Sequence, residues 1–217
     1  MSNSLRASRG NFPARRPVFF YITDRKQLAG HSLIQNIERA VAYGVDFIQI
    51  REKDLPDKEL FELTRKAVSL VRKSKSKIIV NGRADIALAA AAQGVHLPVS
   101  ALKISDLRSW LPNLFMIGAS THSAMEARRA FAAGADYVLL GPVFRTESKV
   151  AFGPPLGLDR LRRACSSLNA PVFGLGGIRA ESLKMVLEAG AAGIAGISLF
   201  QNDTEFAAFQ KILKGGG

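Results

Sequence analysis

From Val18 onward the chain alternates short apolar runs with longer amphipathic ones, and this alternation is what most restricts the fold. The apolar runs are Val18–Thr23, Phe47–Arg51, Lys77–Asn81, Gly94–His96, Phe115–Ser120, Tyr137–Leu140, Pro171–Leu175 and Gly193–Ile197. They are brief and largely non-alternating, as expected of parallel strands covered on both faces. Between them lie helical patterns such as Leu33–Ala42, Asp57–Lys73, Ser123–Ala133 and Glu181–Ala189. In the second, Leu60, Leu63, Ala67, Leu70 and Val71 recur at helical spacing and form one apolar stripe. A refrain of helix end, glycine and strand appears at Gly44-Val45-Asp46, Gly134-Ala135-Asp136 and Gly190-Ala191-Ala192. Glycine suits the left-handed position just past a helix. Eight strand–helix pairs with no break in composition predict a single-domain α/β (β/α)8 TIM barrel over residues 18–217. A doubly wound open sheet is the competing arrangement, because local patterns do not encode closure.

The chain has 217 residues, 47% of them hydrophobic, enough for a full core. Its one cysteine, Cys165, excludes an intramolecular disulfide and reads as packing within an amphipathic helix. No apolar run reaches the roughly 18–20 residues that span a bilayer, so the expectation is a soluble, cytoplasmic protein without a membrane partner. The net charge of +12 arises partly in residues 1–17, where Arg6, Arg9, Arg15 and Arg16 occur with no acid. That segment reads as a disordered basic arm, with a transit peptide as the alternative. Most of the remaining excess fits solvated helix faces. Neither interleaved aromatics nor a recognised motif points to nucleic acid.

In a barrel of this kind, functional groups project from the C-terminal ends of the strands and the loops beyond them. The polar residues of this chain fall there repeatedly: Thr23-Asp24, Gln49 through Lys53, Asn81-Gly82-Arg83, His96, Ser120-Thr121-His122, Thr146 with Lys149, Gly176-Gly177 and Ile197-Ser198. Gly176-Gly177 followed one strand later by Ser198 matches a phosphate cradle of backbone N–H groups, although two glycines also suit a plain tight turn. Gln49, Arg51 and Lys53 share a parity and would line one side of the mouth, ready for a carboxylate or phosphate. A structural ion pair for Arg51 is the alternative. Lys149 lies in the long segment 143–155, read as a mobile flap.

Histidine is scarce. His31 reads as a surface residue, and His96 fits a packed core position as well as a ligand position. His122 follows Ser120-Thr121 and precedes Ser123, a good N-cap for a helix over 124–133. An imidazole at the mouth is suited to take and return a proton near neutral pH. The acids Asp24, Asp46, Glu52, Asp54, Asp85 and Asp136 are scattered, and none has convincing metal-ligand spacing. Asp85 reads as a first-turn helix acid.

Taken together, Tyr21-Ile22-Thr23-Asp24, Gln49-Ile50-Arg51-Glu52-Lys53, Asn81-Gly82-Arg83-Ala84-Asp85, Gly94-Val95-His96-Leu97, Gly118-Ala119-Ser120-Thr121-His122, Gly141 through Thr146 with Lys149, Gly176-Gly177-Ile178 and Ile197-Ser198 resemble the thiamine phosphate synthase/TenI superfamily. The likeness runs from about Phe20 to Phe200. Synthases of this superfamily join a pyrimidine diphosphate to a thiazole phosphate with magnesium, which is held by two aspartates. At those two points this chain has Gly82 and Ala101. The TenI-type thiazole tautomerases resemble it at the same departures. That likeness implies a metal-independent aromatisation of a carboxylated thiazole phosphate, with His122 as acid and base, Gly177 and Ser198 at the phosphate, and Arg51 near the carboxylate. No cofactor is then expected, and the partner is a phosphorylated thiazole, with homo-oligomerisation left open. Gln49, Lys53, Asn81, Thr146 and Lys149 are synthase-like and keep a magnesium-dependent synthase as the alternative. A non-catalytic binder of thiazole or thiamine phosphate is the third reading.

Overall fold

The computed structural model describes residues 12, 16–28, 30, 32–99, 101–146 and 154–215. Its strands are β1 (Val18–Ile22), β2 (Phe47–Ile50), β3 (Lys77–Asn81), β4 (Gly94–Leu97), β5 (Met116–Thr121), β6 (Tyr137–Leu140), β7 (Val172–Leu175) and β8 (Gly193–Gly196). All neighbours pair in parallel and β1 pairs with β8, Val18 opposite Gly193, so the sheet closes into a barrel. Closure excludes the open doubly wound sheet. The helices are α1 (Leu33–Ala42), α2 (Asp57–Val71), α3 (Ala84–Ala89), α4 (Ile104–Trp110), α5 (Ala124–Ala133), α6 (Gly157–Ser167), α7 (Leu183–Glu188), α8 (Ser198–Gln201) and α9 (Asp203–Gly215). The segment expected as one helix over 181–189 instead opens with a 3-10 turn at Ala180–Ser182, continued by α7.

Two apolar clusters explain why every strand is a short apolar run. One lies between sheet and helices and contains Tyr21, Ile48, Val80 and Val138, while the other fills the barrel with Phe20, Phe47, Tyr137, Leu139 and Phe173. Parity separates them, since alternate residues of a strand face opposite sides. Inside, the Phe20 and Phe47 rings stack at 5.3 Å, and Tyr137 sits 5.4 Å from Phe20 and 5.7 Å from Phe173. Gly118 on the adjacent strand β5 makes room for Tyr137, because a Cβ there would stand 2.0 Å from the phenol ring.

The glycine refrain has a structural meaning beyond its turn. Gly44 and Gly134 adopt φ of +76° and +107°, as a chain leaving a helix requires. The aspartate two residues on then reaches back to the preceding strand. Asp46 accepts from the backbone N–H of Phe19 at 2.9 Å, and Asp136 from that of Ile117 at 2.8 Å. Each also pairs with an arginine, Arg16 for Asp46 and the half-buried Arg108 for Asp136. Arg108 further donates to the carbonyls of Phe115 and Gly134. In the third copy Ala192 replaces the aspartate.

Parts of the basic arm lie against the barrel. Arg16 reaches Asp46, and Phe12 inserts among Phe47, Tyr137 and Phe173 at ring distances of 5.6, 6.1 and 5.7 Å. Phe47 and Tyr137 open their strands, so Phe12 closes the N-terminal end of the barrel, opposite the mouth. Phe12→Ala should therefore lower the unfolding free energy by about 2 kcal/mol, less than for a fully buried phenylalanine. It should leave ligand affinity at the mouth unchanged, as read by denaturant titration and calorimetry.

Candidate active site

The floor of the mouth is a polar layer laid on the aromatic one. Gln49, Asn81, His96 and Ser120 continue the inward-facing parity of β2, β3, β4 and β5. Gln49 donates from Nε2 to Asn81 Oδ1 at 2.9 Å, while its buried Oε1 has no hydrogen-bond partner. His96 is 1% exposed and lies 2.9 Å from Ser120 Oγ through Nε2. An orphaned buried acceptor is costly unless a ligand or water satisfies it.

The structure brings some expected residues together and separates others. Gln49 and Asn81 touch. Arg51 is half-buried, donates its backbone N–H to Thr23 Oγ1 at 2.9 Å, and has no carboxylate partner among the described residues. Glu52 next to it is tied instead to Arg25, which it accepts from through both backbone and guanidinium. Strand β2 ends at Ile50, so the parity shared by Gln49 and Arg51 does not carry to Lys53. Lys53 is exposed in the following turn and lines a cavity of about 280 Å³ with Glu52, Leu55, Asn81, Gly82 and Arg83. Arg83 itself turns outward to Asp57 and Asp85, whose carboxyls it holds below their ordinary range. Lys149 and His31 lie outside the described residues, as do 147–153 of the expected flap.

Gly176 and Gly177 follow β7 with φ of +97° and +65°. A Cβ on Gly176 would stand 2.7 Å from Pro142, and one on Gly177 2.6 Å from the Arg145 carbonyl. The glycine pair thus serves as the bed on which the Pro142–Arg145 segment lies, and Phe144 N–H donates to the Gly176 carbonyl at 3.0 Å. This loop carries half-buried Thr146. After β8, Ile197 caps the short helix α8, with Ser198 exposed at its start. Helix α8 is anchored by its own last residue, Gln201, whose Oε1 accepts from the Tyr21 hydroxyl and the Asp24 N–H while Nε2 donates to the Asp24 carbonyl. Asn36 adds donors to Tyr21 and to the Phe200 carbonyl.

His122 stands just past β5 and is half-buried. Its Nδ1 meets the Gly141 carbonyl, and a carbonyl only accepts, so Nδ1 carries the hydrogen. In the neutral ring Nε2 then holds the lone pair. Ser123 caps α5 by accepting from Glu126 N–H, and Glu126 returns a carboxylate oxygen to the His122 N–H at 2.8 Å. This reciprocal arrangement fixes the loop that carries the imidazole. His122, Ser123, Ala124, Leu140, Leu156, Arg160 and Arg163 line a crevice of about 270 Å³. Arg160, Arg163 and Glu126 are additions that the strand-end reading did not supply. The arginines share a helix face at i, i+3 spacing, but nothing local says which face meets the site.

The residues present do not fit magnesium at the two points named above. Gly82 offers no side chain, and the methyl of Ala101 packs against the outer apolar cluster. Among the described residues no group of three or more His, Cys, Asp or Glu could hold a metal. Cys165 is no nucleophile candidate either, since burial pushes its thiol up to about 11.

A family model described as thiamine monophosphate synthase, TMP-TENI, matches residues 19–200. The chain belongs to this family. Relatives include a putative thiamine-phosphate synthase of Geobacter sulfurreducens, 42% identical over 86% of this chain and 87% of that one. A putative thiamine-phosphate synthase 2 of Aquifex aeolicus is 41% identical over 85% of this chain and 97% of its own length. Among solved structures, a thiamine phosphate pyrophosphorylase from Pyrococcus furiosus superposes with a TM-score of 0.81 at 32% identity, covering 91% of this chain and 96% of that one. A 3-hexulose-6-phosphate synthase at 17% identity and a TM-score of 0.60 shares the fold alone. For this family member no helix among the described residues is long and apolar enough to cross a membrane.

The anchoring of α8 is open to test. Gln201→Leu strands the Tyr21 hydroxyl and the Asp24 amide, and should cost about 2 kcal/mol of stability. Denaturant unfolding followed by circular dichroism reads the loss.

Proposed function

We propose that this family member is a metal-independent thiazole tautomerase acting on a carboxylated thiazole phosphate. The observation that carries this reading is the His122 ring, held through Nδ1 by the Gly141 carbonyl. The Nδ1 hydrogen is present in both the neutral and the protonated ring, so the imidazole keeps its orientation throughout a transfer. Nε2 takes a proton from one carbon of the substrate, the ring electrons shift, and the same nitrogen returns the proton at a second position. The product has the composition of the substrate, and no electron acceptor is required. General acid–base help of this kind contributes typically ~10²–10⁴-fold in rate.

In this reading Gly176, Gly177, Ile197 and Ser198 receive the phosphate on backbone N–H groups, and Arg51, with no carboxylate partner among the described residues, faces the carboxylate. Gln49, Lys53, Asn81, Ser120 and Thr146 line the remainder of the substrate. The crevice arginines Arg160 and Arg163 add positive charge beside the reacting centre, which favours an anionic substrate. His122→Ala should lower turnover of the thiazole tautomer by at least a hundredfold while changing the affinity for thiazole phosphate less than threefold (about 0.6 kcal/mol). Full turnover in that variant rules the mechanism out.

A second reading, the magnesium-dependent thiamine phosphate synthase, is favoured by the names of the relatives, which are synthases by description. It requires the metal to find oxygen ligands other than side chains at positions 82 and 101. Both reactions assayed with and without a chelator separate the two readings. Thiamine phosphate formation abolished by the chelator selects the synthase. If the tautomerase reading holds, Gly82→Asp with Ala101→Asp should raise magnesium affinity at least tenfold by calorimetry. A Cβ at Gly82 makes only ordinary van der Waals contact with Pro98, 3.8 Å away, although the φ of +71° costs an aspartate there about 1 kcal/mol.

A further inference from the structure

The barrel holds a second polar chain, one layer below His122, that the proton transfer does not use. His96 touches Ser120 Oγ with Nε2 at 2.9 Å and the Tyr137 hydroxyl with Nδ1 at 3.3 Å. Tyr137 is fully buried. Burial, with a smaller contribution from Asp136, holds its phenol well above the ordinary value, so the hydroxyl keeps its proton. His96 is the hydrogen-bond partner of that hydroxyl, which decides the direction of the chain. If Nδ1 carried the hydrogen of a neutral ring, it would donate to the phenol oxygen and leave the buried O–H proton with no acceptor among the described residues. Stranding a buried donor in that way is penalised. The lower-energy arrangement has Nδ1 accepting and the hydrogen on Nε2.

We propose that Tyr137 and His96 are positioning residues that set Ser120 as a hydrogen-bond donor to an anionic oxygen of the ligand. Tyr137 O–H donates to His96 Nδ1, His96 Nε2–H donates to Ser120 Oγ, and the Ser120 proton is directed into the mouth. A histidine that donates to a serine oxygen does not remove its proton, so Ser120 is a docking donor and not a nucleophile. Ser120 closes the inward-facing row of β5, and His122 follows just past the last residue of that strand. That the oxygen belongs to a carboxylate rests on the proposed function, whereas the direction of the chain does not.

Two measurements on the full-length protein test this. Long-range ¹⁵N NMR of the histidine side chains should show His96 protonated on Nε2, with that preference lost in Tyr137→Phe. A wild-type His96 protonated on Nδ1 overturns the proposal. Calorimetry should show His96→Leu weakening carboxylated thiazole phosphate about tenfold, as for one hydrogen bond to a charged group. The decarboxylated analogue should be unaffected, and His96→Gln, which retains a donor, should recover most of the loss. In a Ser120→Ala background His96→Leu should add nothing, and an equal loss there overturns the positioning role. If His96→Leu does not fold, Tyr137→Phe carries the same comparison at a smaller effect. Coupling seen only with a pyrimidine diphosphate supports the chain and rejects the tautomerase reading. Coupling with neither ligand rejects the chain.

Discussion

The seating of Tyr137 against Gly118 joins the stability of this barrel to its mouth. A closed ring of eight parallel strands needs a filled interior, and here the filling is a layer of rings from Phe20, Phe47, Tyr137 and Phe173. Tyr137 is admitted only because β5 has no Cβ at position 118. The same side chain then extends its hydroxyl upward to His96, which reaches Ser120 at the rim. An apolar core contact and the polar floor are consecutive parts of one side chain. Overpacking at position 118 would disturb both.

Around that centre, the rigid parts of the mouth are held by contacts outside it. Gln201 at the end of α8 ties that helix to Asp24, Asn36 holds its Phe200 carbonyl, and Glu126 with Ser123 fixes the loop of His122. The glycine pair after β7 supports Pro142–Arg145. Preorganisation of this kind places donors before a ligand arrives. Gly176 and Gly177 are required there both by packing and by φ.

Much of the fold was legible from the order of residues. The strand runs were placed within a residue or two, because buried parallel strands need continuous apolar segments. The helix after His122 was legible in full, since Ser123 is a local start signal. Lys53 shows where such reading stops, because parity is a property of a strand and β2 ends at Ile50. Arg160 and Arg163 show a second limit. Their approach to His122 depends on how α6 is rotated against α5, a choice made by packing.

The sequence by itself determined the family, the eight strand–helix units and the absence of carboxylates at Gly82 and Ala101. These are properties of local pattern and residue identity. Only the tertiary structure decided closure, through the pairing of β1 with β8, and the use of the refrain aspartates as ties to the preceding strand. It also decided which nitrogen of His122 bears its hydrogen, because the Gly141 carbonyl comes from a different strand end. Proton direction in a site depends on donors and acceptors brought together from distant positions, and no local pattern encodes that.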